Sequence, residues 1–260
     1  MGPDGALWFG TLDAITRFDG TVWTTYNTNG PGGITISTAA AAPDGSVWFG
    51  TQQGGVSHFD GQHWTNYTVA DGLTDNWIDT LAVAPDGSVW VGAGAGVSHF
   101  DGQRWDSTPI DSDLENARVR SIGPSPDGTV WIAVTGYSTA SDAYVGKVLH
   151  FAPQTDAWTT YVDGLVDHPT TIATAADGSV WAGGHGGISR FDPSTGSGRG
   201  GETWTTYTIG HGLSDSTVLA MTLAPDGSVY LSTRVVKIDQ TAAHDRSHFC
   251  FDFLWKVNAL

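Results

Sequence analysis

One phrase recurs along the chain at near-constant spacing, and it limits the possible folds more than any other feature. Ala84-Pro85-Asp86-Gly87-Ser88-Val89-Trp90-Val91-Gly92 has its PDG at 85 and relatives at 3 (PDGALWFG), 43 (PDGSVWFG), 126 (PDGTVWIA), 176 (ADGSVWAG) and 225 (PDGSVYLS), at intervals of 40, 42, 41, 50 and 49 residues. A fixed period of this length is the mark of a repeat architecture. Within each copy, Pro presets φ, Asp bonds its own backbone and Gly supplies φ > 0, so the phrase reads as a tight turn. The Val-Trp pair that follows opens an apolar run of strand length.

The third copy shows what one unit contains. Trp77–Ala84 reads as a first strand, Ser88–Ala93 as a second, Val97–Asp101 as a third and Arg104–Thr108 as a fourth, with Gly-bearing turns between them. Four short antiparallel strands in such a period are one propeller blade. The expected fold is therefore all-β: a six-bladed β-propeller of four-stranded antiparallel blades over residues 1–240, or a section of a larger ring. The first copy starts at its turn and lacks an inner strand. The fourth carries an insertion, Gly136–Gly146, and the fifth another, Pro193–Gly201; both are expected at turns. In the sixth, VVKID at 235–239 is the expected third strand, and 241–260 is a degenerate tail expected either to add a closing strand or to be foreign to the fold.

Charge and cysteine content narrow the function classes. Eleven Lys and Arg stand against 27 Asp and Glu, a balance that disfavours nucleic-acid binding, which depends on neutralising phosphates. The single Cys250 excludes an internal disulfide and a cysteine-based zinc cluster, and no paired histidines or ring of carboxylates shows metal-ligand spacing. No cofactor, metal or catalytic residue is expected, and no apolar run is long enough for a membrane helix. The start at Met1-Gly2, directly on a repeat and without a basic-then-apolar leader, points to a protein kept inside the cell or to a chain whose leader lies upstream, and favours the second.

The words PDGSVWFGT, GGVSHFDG, WTNYT and DGLTDN, in this order and over roughly residues 1–240, resemble the two-component regulator propeller repeat. That resemblance implies a sensor-type propeller in the periplasm or outside the cell, recognising a glycan or other polar ligand, with a kinase downstream in a longer parent protein. A more distant similarity is to streptogramin lyase, whose repeats share the DG-x-V-W-F word but follow it with Thr-Glu. Here the continuation is Gly50-Thr51, Gly92-Ala93 or Ser232-Thr233.

Comparing the copies with one another separates scaffold from site. Trp8, Trp48, Trp90, Trp131, Trp181 and Tyr230 are equivalent, as are Trp23, Trp64, Trp105, Trp158 and Trp204, and both sets are expected to pack between blades. Arg17, His58, His99, His150, Arg190 and Lys237 also share one position. A basic group repeated in this way is expected to pair with turn carboxylates or lie along the surface. The variable positions sit at the start of the inner strand. Eight residues before each PDG stand Thr35, Trp77, Arg118, His168 and Thr217, and six before stand Ser37, Asp79, Arg120, Thr170 and Leu219. Between them the residue is Ile36, Ile78, Val119, Pro169 or Val218, the alternation of a strand packed on one side.

Trp77, Asp79, Arg118, Arg120 and His168 are therefore expected to converge on the channel mouth, with Asn76 and Glu115 on its rim beside Asp75, Asp113, Asn116, Asp167 and Asp215. Aromatic and bidentate hydrogen-bonding groups on a concave surface suit a sugar or a carboxylate. The expected function is non-enzymatic recognition of such a ligand. The alternatives are a protein-interaction scaffold acting through the rim loops, and a lyase or hydrolase in which His168, Asp167 and Asp79 supply acid-base chemistry at the same mouth.

Overall fold

The computed structural model describes residues 5–10, 14–26, 35–94, 96–110, 114–193, 204–213, 215, 217–224 and 227–233, together with the backbone of 254–257. Six separate antiparallel sheets follow one another along the chain. The first holds β1 (Leu7–Gly10), β2 (Ile15–Phe18) and β3 (Trp23–Tyr26); the second β4 (Ile36–Ala41), β5 (Val47–Thr51), β6 (Val56–Phe59) and β7 (Trp64–Tyr67). The third holds β8 (Thr80–Val83), β9 (Val89–Ala93), β10 (Gly96–Phe100) and β11 (Trp105–Pro109); the fourth β12 (Glu115–Pro124), β13 (Val130–Ser138), β14 (Ala143–Ala152) and β15 (Ala157–Tyr161). The fifth holds β16 (Asp167–Thr174), β17 (Val180–His185), β18 (Gly187–Phe191) and β19 (Trp204–Tyr207); the sixth β20 (Val218–Leu223), β21 (Val229–Thr233) and β22 (Leu254–Val257). The fold is a six-bladed, all-β propeller in which the inner strands β4, β8, β12, β16 and β20 contact one another in series.

The recurring phrase makes the expected turn. In the second blade the Ala42 N–H donates to Ser46 O at 2.9 Å, and Asp44 Oδ1 accepts the Ser46 N–H at 2.9 Å. The third blade repeats this with Ala84, Ser88 and Asp86. Hydrogen bonds from the serine, first from its hydroxyl and then from its N–H, hold the carboxyls of Asp86 and Asp177 below their ordinary value.

Blades join through the aromatic that follows the turn. Trp8 lies against Phe49 and Phe59 of the next blade, with ring centres 5.8 and 5.7 Å apart; Trp48 meets Phe100 and Trp105, and Trp131 meets Phe191 and Trp204. The glycine two residues after the tryptophan makes room for the next inner strand. A Cβ on Gly50 would lie 2.5 Å from Ile78 Cγ2, and one on Gly92 2.4 Å from Val119 Cγ1. Ile78 and Val119 are fully buried, so each of these two junctions is a β-branched side chain seated over a glycine.

Three expectations change in detail. The insertion at 136–146 is not a loop: β13 and β14 continue as a regular ladder through Tyr137↔Tyr144 to Ser138↔Ala143, because its aromatic and β-branched residues extend the hairpin. The first strand of the third blade begins at Thr80, short of the expected Trp77, because the backbone bulges just before it. The basic residues of the repeat do more than meet turn carboxylates. His58, His99 and His150 lie flat on Trp48, Trp90 and Trp131 with ring centres 4.0, 4.2 and 4.2 Å apart, and Arg190 sits 5.5 Å over Trp181. The Pro193–Gly201 insertion beyond its first residue, and the VVKID strand beyond the PDG-phrase strand of the sixth blade, lie outside the described residues. Of the tail, the backbone of 254–257 pairs with β21 in the sixth sheet.

Candidate functional site

A bulge recurs in the inner strands at one place. Register shifts fall between Ile36 and Thr38, Val119 and Ser121, Pro169 and Thr171, and Val218 and Ala220. In the third blade the Asp79 N–H donates to Gly92 O at 2.9 Å while Thr80 is the register partner of the same Gly92. The bulged residues are thus Ser37, Asp79, Arg120, Thr170 and Leu219, the variable set six positions before each turn. An extra residue in one strand re-aims its side chain. Here it turns one side chain per blade away from the interblade packing while its neighbour, such as Ile78 or Val119, stays buried.

In the third and fourth blades this device gathers a charged and aromatic patch. Asp75, Trp77, Asp79, Asn116 and Arg118 line an open cleft of about 340 Å³. Trp77 is exposed, and its backbone N–H is held by Asp75 Oδ1 at 2.8 Å. Arg118 Nη1 donates to Asp79 Oδ1 at 3.4 Å, and the arginine keeps half of its side chain in solvent. Burial raises the Asp79 pKa above the ordinary carboxylate value, against the opposing pull of Arg118 and Arg120.

Two residues further along the same strand, Arg120 points the other way along the mouth. Its Nε donates to Thr135 Oγ1 at 2.7 Å and its Nη2 to the Tyr144 hydroxyl at 3.1 Å. Both partners are neutral, and among the described residues no carboxylate lies within ion-pair distance of it. The Thr135 hydroxyl and then Arg120 lower the Tyr144 pKa, with burial opposing them. The Tyr144 ring stacks on His168 at 5.4 Å and 17°, and His168 Nε2 lies 2.8 Å from the Tyr144 carbonyl oxygen, to which it donates in the Nε2–H tautomer. His168 and Asn116 both carry positive φ, 50° and 51°, at the upper ends of their inner strands, where the chain enters the blade.

Trp77, Asp79 and Arg118 therefore meet in one cleft, and Arg120 and His168 meet through Tyr144 in the patch next to it. Asn76 and Glu115 take other places. Asn76 Oδ1 accepts the Val69 N–H at 2.9 Å and so fixes the short 3₁₀ turn Val69–Asp71 of the crossing segment. Glu115 pairs in register with Tyr137 on the long hairpin and is not a wall of the cleft. Asp215 Oδ1 accepts the Thr217 N–H, Asp167 lines a second cleft of about 280 Å³ with Tyr144, Lys147 and His168, and Asp113 lies outside the described residues. Tyr144 is the residue that comparison between copies misses, since it sits in an insertion that only the fourth copy has. Among the described residues no group of three or more His, Cys, Asp or Glu could hold a metal ion.

The sequence matches no protein-family profile and no curated protein. Solved structures with the same fold include streptogramin B lyase, at 16% identity and a TM-score of 0.64 over 88% of this chain and 73% of the lyase. They also include the extracellular domain of a putative one-component system from B. thetaiotaomicron, at 15% identity and 0.59 over 89% of this chain. PorZ, a bacterial surface component of the type-IX secretion system of Porphyromonas gingivalis, is similar at 19% identity and 0.62 over 88% of this chain. The chain spans 36% of the length of the former and 38% of PorZ. These likenesses establish a propeller fold. Among the described residues no helix is long and apolar enough to cross a membrane.

Proposed function

We propose that this propeller is a non-enzymatic recognition module of the sensor type, taking a polar ligand such as a glycan at the channel mouth between the third and fourth blades. The observation that carries this reading is the pair Arg118 and Arg120 on one bulged strand, with exposed Trp77 on one side and Tyr144 on the other. A sugar ring stacks on Trp77, and the two guanidiniums donate to its hydroxyls or to an acidic substituent. Arg118 is only partly engaged by Asp79, and among the described residues the hydrogen-bond partners of Arg120 are neutral, so both retain donors for a ligand.

The extracellular domain that shares the fold supports a sensor reading and a place outside the cytoplasm. Coupling to a downstream kinase in a longer protein belongs to the same proposal. Titration calorimetry with neutral and acidic oligosaccharides tests it. Binding to at least one of them is expected, lost in Arg118→Ala/Arg120→Ala while the near-ultraviolet circular dichroism stays unchanged. Binding that the double variant retains overturns the site. Capture of a protein partner through the rim loops, with no oligosaccharide bound, favours the scaffold instead, and turnover that depends on His168 favours a lyase or hydrolase.

A further inference from the structure

The chain has 27 Asp and Glu against 11 Lys and Arg, so carboxylates are plentiful, and among the described residues every arginine but one is paired with an aspartate. Arg17 lies 3.5 Å from Asp19, Arg104 3.2 Å from Asp106, Arg118 3.4 Å from Asp79 and Arg190 3.6 Å from Asp192. Arg120 is the exception, and the way it is held leaves one side of it for a ligand. A guanidinium is a flat fork: Nε–H and one Nη2–H point along its edge, Nη1–H and the other Nη2–H along its end. Nε donates to Thr135 Oγ1 at 2.7 Å and Nη2 to the Tyr144 hydroxyl at 3.1 Å, so the edge is taken and the end is not. The two hydroxyls share a hydrogen bond of their own at 3.2 Å, and the Tyr144 ring is stacked on His168. The fork is therefore set before any ligand arrives, which spares the ligand the cost of ordering it. Arg120 is exposed and Tyr144 is 44% exposed, so the group is reachable from solvent.

Arg118 has the opposite setting. The cleft it lines with Trp77 also holds Asp75 and Asp79, so that cleft is acidic on balance and repels a further carboxylate. The end of the Arg120 fork has the spacing of a planar group with two oxygens, which it meets through parallel N–H bonds. We infer that the ligand is an acidic glycan, with a neutral ring face on Trp77 beside Arg118 and the carboxylate of a uronic-acid residue on the Nη1–Nη2 end of Arg120. This rests on the reading of the mouth as a glycan site and gives its two arginines different tasks. Arg118 serves any ring that stacks on Trp77, whereas Arg120 selects for charge.

Titration calorimetry on the whole chain tests this with oligomers of galacturonate, glucuronate and mannuronate, each beside its methyl ester, and with sulfated neutral oligosaccharides of the same length. At least one uronate should bind about 10- to 100-fold more tightly than its own ester, the worth of a charge-assisted contact. Arg120→Ala should bring the acid down to the level of the ester and leave ester binding as it was, which also shows that the variant is folded. Arg118→Ala should weaken acid and ester alike and so preserve their ratio. Acid and ester bound equally well by the parent overturn the inference while leaving the glycan reading in place, as does a ratio that Arg120→Ala keeps or Arg118→Ala abolishes. Tighter binding of a sulfated probe than of every uronate overturns the choice of carboxylate. Failure of every probe, neutral ones included, overturns the glycan reading itself and this inference with it.

Discussion

His58, His99 and His150 stand at one place in three successive blades, each flat on the tryptophan of the strand beside it. His168 stands where the other blades carry Thr35, Trp77, Arg118 and Thr217, on a backbone of positive φ, stacked on a tyrosine from an insertion. The first three are part of what makes a blade. Burial lowers the pKa of His58 and His99, and the Nε2 of His58 is buried without a hydrogen-bond partner, so both are apolar packing in practice. Among the described residues the fourth makes one hydrogen bond, to a carbonyl at the mouth, within a patch that includes a tyrosine of the fourth blade's insertion. In a repeat protein the same residue type thus has two meanings, and its recurrence tells them apart.

The largest expected effect strikes the repeated set. Trp90 is buried against His99 and against Phe151 of the next blade, so Trp90→Ala removes one whole junction. A loss of about 3–5 kcal/mol is expected, since large-to-small changes of a buried aromatic cost that much. Urea unfolding followed by tryptophan fluorescence measures it. A shift no larger than that of an exposed control such as Trp77→Ala would break the division between scaffold and site.

The next effect strikes the singular set and leaves stability alone. Arg118→Ala and Arg120→Ala each remove charge-assisted donors worth about 1.5–3 kcal/mol, or roughly 10- to 100-fold in Kd for an oligosaccharide that binds. Melting temperatures should stay within about a degree, because both side chains lie outside the core and surface changes alter stability little. Tyr144→Phe sharpens the comparison. It deletes the hydroxyl that Arg120 and Thr135 share but keeps the ring on His168, so it should weaken binding less than Arg120→Ala.

The blades were legible because their chemistry repeats: Asp44, Asp86 and Asp177 make one turn, and the phrase around them fixes the strand that follows. The equivalence of Trp77, Arg118 and His168 was legible in the same way, by counting back from that turn. Two things were not. The bulge that aims Asp79 and Arg120 is a backbone offset without a residue signature, since Ser37, Thr170 and Leu219 occupy it equally well. Tyr144 lay in an insertion without a counterpart, where nothing but alternation of aromatic and small residues marked the ladder that carries it to Arg120. The bond from the Val69 N–H to Asn76 Oδ1 was hidden for a related reason: spacing gives no sign of a side chain that bonds backbone seven residues earlier.

The smallest expected effects are in pH dependence, and they divide along the same line. His58 and His99 have folded pKa values below the ordinary 6.5, because burial disfavours the imidazolium. The unfolded chain therefore binds more protons in that interval, and stability is present above 6.5 and declines as pH falls through it. The turn carboxylates add a second decline at lower pH. Hydrogen bonds from backbone N–H groups hold Asp19, Asp60 and Asp101 below the ordinary 3.8, so their contribution is full above that value and lost as pH falls through their folded values. Asp79 has the opposite sign: burial raises its pKa, so protonation favours the folded state as pH drops through the raised value. Melting temperature against pH should accordingly fall in two steps. His58→Phe should flatten the upper step in part, since His99 remains, and leave the lower one unchanged. A full upper step in the His58→Phe variant would show that the repeated histidines do not carry it.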